Sequence, residues 1–137
     1  MILYHGSPNR YDVLIPHQAC DIGFEEGCQK AVYATTSKTM AICFALGAVA
    51  DENGEIEREM MPEHGDKMVF RKGHPNYGGK GYLYVIDSDQ FQHAMGTQWV
   101  CFEEVIPLEV IEINVDDFLE YCVVRKIYRL ACDQFKT

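Results

Sequence analysis

The chain has no long hydrophobic run, no paired-cysteine motif and few basic residues. No apolar stretch approaches the ~20 residues that a membrane-spanning helix needs. No basic-then-apolar leader opens the chain either, so a soluble cytoplasmic protein with no membrane role is expected. Lys and Arg number 12 against 21 Asp and Glu, for a formal net charge of −9. Such a balance argues against a surface built for a nucleic-acid backbone, which needs clustered cations. It still leaves room for a small basic pocket around one pyrophosphate. The arginines (Arg10, Arg58, Arg71, Arg125 and Arg129) are scattered along the chain.

Cysteines are present at positions 20, 28, 43, 101, 122 and 132, but none falls in C-x-x-C spacing. All are therefore expected to be reduced. Cys43 and Cys101 lie in apolar runs, where a free thiol packs as a small hydrophobe. His17, Cys20 and Cys28 would supply three metal ligands from one loop, but no fourth ligand stands at a recognisable spacing, so no metal is expected. Neither a repeat nor a linker interrupts the 137 residues, of which 47% are hydrophobic, and residues 1–137 read as a single domain.

What is present reads as an α+β domain. Ile2–Tyr4 is a short strand running into the turn His5-Gly6-Ser7-Pro8. Ala31–Thr35 is a second strand, and Thr36 or Ser37 caps a helix over 39–50 with Met40, Phe44 and Gly47 on one side. Residues 51–80, first acidic and then rich in Gly, His and Pro, read as a long lid or mobile loop. Tyr82–Asp87, Trp99–Ile106 and Val110–Val115 read as strands. Leu119, Val123, Ile127 and Leu130 recur at helical spacing, which predicts a last helix of about 17 residues starting after Asn114 or Asp116.

Three places carry residues suited to chemistry. At His5-Gly6-Ser7 a glycine lets a backbone come close to a ligand, and the adjacent imidazole can exchange a hydrogen bond with a hydroxyl. Tyr33 offers a flat face for ring stacking, followed by the hydroxyls of Thr35, Thr36, Ser37 and Thr39. Glu103 and Glu104 lie in the run W-V-C-F-E-E-V-I-P, where strand alternation puts one carboxylate in line with whichever face is buried. Burying an unpaired carboxylate is costly, so such a residue favours the edge of a cleft.

In this order the blocks Y-H-G-S (4–7), V-Y-A-T-T-S-K-T-M-A-I-C-F-A (32–45), G-Y-L-Y-V-I (81–86) and E-E-V-I-P-L-E-V-I-E-I (103–113) resemble the ADP-ribosyltransferase superfamily. The resemblance is to its His–Tyr–Glu branch, which includes diphtheria-type toxins, poly(ADP-ribose) polymerases and rifampin ADP-ribosyltransferase. It implies a split β-sheet with a few flanking helices and NAD⁺ as co-substrate, with no metal. It makes His5 the ligand of a ribose hydroxyl, and Gly6, with Ser7 beside it, the backbone that holds the nicotinamide amide. Tyr33 becomes the aromatic against the nicotinamide end, Thr39 a further hydroxyl near that amide, and Glu103 the catalytic carboxylate, with Glu104 as the alternative. His5 and Tyr33 are expected to line one cleft. The polymerases' second stacking tyrosine is absent, since Ile42 and Phe44 stand nearby; Phe44 is carried as a cofactor contact. The implied activity is mono-ADP-ribosyl transfer or NAD⁺ hydrolysis. The acceptor (a small molecule, a nucleic acid or a protein) and the oligomeric state are left open. The alternatives are a silent module that binds NAD⁺ or ADP-ribose and, lower, an RNA 2′-phosphotransferase, which relies on several arginines.

Overall fold

Strand β1 (Ile2–Ser7) runs through the middle of the larger of two sheets. The structure, a computed structural model, describes residues 1–18, 30–61 and 65–125. On one side of β1 lies β6 (Lys80–Asp87) and beyond it β9 (Glu109–Asn114). On the other side lies β3 (Lys30–Thr35), followed by β8 (Gln98–Cys101) and β7 (Gln92–Met95). The short strand β2 (His17–Gln18) also pairs with β3, which makes seven strands among the described residues, all antiparallel. A smaller sheet has the order β10 (Cys122–Val124), β5 (Lys67–Lys72), β4 (Glu57–Met61), with β10 parallel to β5. The chain is thus a mixed helix-and-sheet protein, and mostly β.

Alternation along β1 decides what each face of the larger sheet buries. Leu3 joins Val32, Ala34, Tyr84, Ile86 and Cys101 in one core. The other face is covered by the helix α1 (Lys38–Ala45), whose Ala41, Ile42 and Ala45 pack with Leu83, Ile113 and Val115. Gly6 is what lets the helix lie down there, because a Cβ at that position would fall on the Ala41 carbonyl oxygen. The same helix turns Cys43 toward Met68 and Phe70 of the smaller sheet, with Phe44 packed beside them. α1 is therefore the wedge between the two sheets. Ser37 caps it as expected, its hydroxyl accepting from the Met40 N–H at 3.1 Å.

Several expectations are corrected. The helix stops at Ala45 rather than 50, and Gly47 follows at φ 70°, the left-handed geometry that closes a helix. Residues 51–80 hold β4, β5 and the first residue of β6 instead of one long loop. Met68, Val69 and Phe70 are all buried, Met68 and Phe70 against Cys43 of α1, and glycines at positive φ (Gly65 and Gly73) bracket the strand. The last helix is a 3-10 segment, Val115–Tyr121, that gives way to β10. Phe118 is non-helical there and packs with Leu119 and Tyr121 onto the helix-side core, while Asp116 accepts from the Gly78 N–H at 3.0 Å. Ile127 and Leu130 lie outside the described residues. Among the described residues no helix is long and apolar enough to cross a membrane.

Candidate functional site

β1 and β3 meet at the pair Tyr4↔Thr35 and then part. Where they part, the Nδ1 of His5 lies 2.6 Å from the Tyr33 carbonyl oxygen. A carbonyl only accepts, so Nδ1 carries the proton, and in the neutral ring Nε2 is left as an acceptor. Burial pushes the imidazole below its ordinary pKa, the bond to Tyr33 pulls it back up, and the nearby His17 lowers it again. The Tyr84 ring packs against the imidazole with centroids 5.7 Å apart. Tyr84 is itself held by its hydroxyl, which donates to the Asn9 carbonyl at 2.8 Å and accepts from the Tyr11 N–H at 2.7 Å. These bonds hold the segment after β1 in place.

The gap between the strands opens into a cavity of about 480 Å³, a size suited to a small organic ligand. His5, Gly6 and Ser7 form one wall, and Tyr11, Leu14, Pro16 and His17 another. Phe44 from α1 and Arg58 from β4 close the far side. The Ser7 hydroxyl accepts from the Asn9 N–H at 3.1 Å and shapes the turn out of β1. Four residues expected from the sequence thus come together: His5, Gly6, Ser7 and Phe44.

Four others do not join them: Tyr33, Thr39, Glu103 and Glu104. Tyr33 lies between Val32 and Ala34, which face the first core, so its ring projects to the helix side and does not line the cavity. Only its carbonyl takes part, through His5, which corrects the expectation that both side chains line one cleft. Thr39 lines a separate groove of about 280 Å³ with Lys38, Ile42 and Phe118. The glutamates depart furthest. β8 ends at Cys101, so the alternation that put one carboxylate on a buried face stops before it reaches them. Glu103 and Glu104 are both exposed in the turn beyond, and neither lines the cavity. Val105 then turns back to bridge Leu14, with backbone bonds of 2.8 and 2.9 Å in both directions, which pins that turn to the cavity wall.

Sequence reasoning did not place two basic side chains of the lining, His17 and Arg58, at the site. The sequence pattern offers His17 only as a metal ligand with Cys20 and Cys28, which lie outside the described residues. Among the described residues no group of three His, Cys, Asp or Glu is arranged to hold a metal. Arg58 was lost in an acidic stretch. Its signal was the alternation E-R-E-M, which sets Arg58 and Met60 apart from Glu57 and Glu59. No family model matches this chain, and comparisons with curated proteins and with solved structures find no similar protein.

Proposed function

We propose that the protein binds NAD⁺, or the ADP-ribose part of it, in the cavity beside His5. The observation that carries this reading is the bond between His5 Nδ1 and the Tyr33 carbonyl. It leaves a neutral ring with Nε2 as an acceptor at the cavity wall, suited to a ribose hydroxyl. Support comes also from the shape of the site. β1 and β3 part there, Gly6 and Ser7 border the opening, and Phe44 and Tyr11 supply aromatic surface for a base. The test is calorimetric titration with NAD⁺ and ADP-ribose. Binding of either that is lost in His5→Ala sustains the reading, and no binding to the wild-type protein refutes it.

Transfer or hydrolysis of the ADP-ribose is the second reading, and one observation favours it. The Leu14–Val105 bridge ties the Glu103–Glu104 turn to a residue that lines the cavity, so the two carboxylates belong to a turn held beside the site. Breaking the nicotinamide–ribose bond builds positive charge on the sugar, and a carboxylate there would stabilise the transition state. Binding ranks first because both carboxylates are exposed and outside the cavity. Mass spectrometry for free nicotinamide, with and without cell extract as a source of acceptor, separates the two readings. An RNA 2′-phosphotransferase ranks below both, since Arg58 is the one arginine among the described lining residues.

A further inference from the structure

Arg58 stands where a strand facing a core would ordinarily place an apolar side chain. In β4 it pairs with Phe70, and Met60 pairs with Met68, so Arg58 and Met60 share the face that looks onto the third core. Glu59 alternates to the other face, where its carboxylate pairs with Arg71 at 2.6 Å. A cation on the inner face of a sheet is costly unless its environment compensates. Here the guanidinium carbon lies 5.7 Å from the centroid of Phe44 and 6.0 Å from that of Phe70. Nη1 also donates to the Gly47 carbonyl at 3.3 Å. Two rings and a carbonyl orient the planar group before any ligand arrives, and a preoriented group loses less entropy on binding.

This held cation also lines the cavity that His5, Gly6 and Ser7 border. A guanidinium has five N–H donors in a rigid fork that matches the oxygens of a phosphate. We propose that Arg58 is the anion-binding group of the cavity and that the ligand presents a phosphate or pyrophosphate to it. The proposal deepens the NAD⁺ reading and rests on it for the identity of the ligand, but not for the anion site itself. Phe44 then has a second role beside ligand contact: it holds the arginine.

The experiment compares the wild-type protein with Arg58→Met, which keeps an unbranched stem between the two rings and removes the charge. NAD⁺, nicotinamide riboside (its nicotinamide half, without the pyrophosphate and the adenosine) and inorganic pyrophosphate are titrated calorimetrically into each. Arg58→Met should weaken NAD⁺ and inorganic pyrophosphate by ~10-fold or more, the scale for a hydrogen bond to a charged group, and leave nicotinamide riboside unchanged. Equal NAD⁺ affinity in the two proteins would overturn the role of Arg58 and leave the NAD⁺ reading intact. Binding of pyrophosphate to the wild type alone, with no NAD⁺ binding to either protein, would sustain the anion site and remove NAD⁺ as its ligand. Failure of the wild type to bind any of the three overturns both. Should Arg58→Met not fold, the arginine Nε–H resonance of the wild-type protein takes its place. It should shift on addition of pyrophosphate, and an unmoved resonance contradicts the proposal.

Discussion

His5 donates from Nδ1 to the carbonyl oxygen of Tyr33 at 2.6 Å, a side-chain bond made where the backbone ladder between their two strands has ended. The imidazole thus closes the parting of β1 and β3 in its neutral form, and burial holds its pKa below the ordinary 6.5. Protonation would leave the Tyr33 bond in place but would convert Nε2 from acceptor to donor.

A pH dependence follows. Below its ordinary value the unfolded chain binds a proton that the folded chain refuses, so the unfolded state holds more protons. The stability contributed by His5 is therefore complete above pH 6.5 and is lost as the pH falls from there through the folded value. NAD⁺ affinity depends on the folded protein alone, so it should stay level through pH 6.5 and weaken only as the pH falls through the lowered folded value. Titrations from about pH 8 down to about pH 5 check this. In His5→Gln both stability and affinity should become less dependent on pH in that window.

Gly6 is occupied by the fold before any ligand is considered. Gly6→Ala drives a Cβ into the Ala41 carbonyl and close to the Ala45 amide, both fixed backbone atoms of α1. Denaturant unfolding should show a loss of about 3 kcal/mol, the upper end of overpacking costs. Gly54→Ala is the comparison: it meets nothing within 4 Å, and its φ of 76° should cost only about 1 kcal/mol.

The thiols test the packing around α1. Burial pushes Cys43 up to about 12, with Cys122 adding to it, and burial likewise pushes Cys122 up to about 11. At pH near 8 only ~10⁻⁴ of Cys43 is thiolate, so a disulfide reagent should label it very slowly in the native protein and at once after unfolding. Rapid native labelling at Cys43, read by peptide mapping, would contradict the burial of α1 against the smaller sheet.

Glu103 and Glu104 separate binding from chemistry. If the protein transfers or hydrolyses ADP-ribose through Glu103, Glu103→Gln should lower nicotinamide release by ~10²-fold with little change in NAD⁺ affinity. Glu104→Gln should then be mild, and the reverse pattern would reassign the carboxylate to Glu104. A wild-type protein that binds NAD⁺ and releases no nicotinamide leaves binding as the function.

The parts of this architecture that were legible in the sequence are those set by local chemistry. The strand and turn around His5, the Ser37 cap and the apolar run of β6 each carry their signal within a few residues. The smaller sheet was hidden because β4 is short and carries Glu57, Arg58 and Glu59, so its pattern reads as a solvated loop. Its stability comes from partners distant in sequence, with β10 beside β5 and Cys43 against Met68 and Phe70. The end of β8 was misjudged for a similar reason. Val105 leaves the β3 pairing and bonds instead to Leu14, a contact that no local alternation announces. The last helix had the right apolar spacing, but Phe118 and Tyr121 are drawn onto the helix-side core and Cys122–Val124 into the smaller sheet. The Arg58 site depends on the smaller sheet and on its packing against α1, and could not be read before them.

Binding of a nucleotide in the cavity where β1 and β3 part is tested most directly by amide NMR during titration with NAD⁺. The amides of Gly6, Ser7, Tyr11 and Arg58 should shift together and saturably, while those of Lys38 and Thr39, in the separate groove, stay in place. Shifts confined to Lys38, Thr39 and Phe118, or no shifts at all, would contradict it.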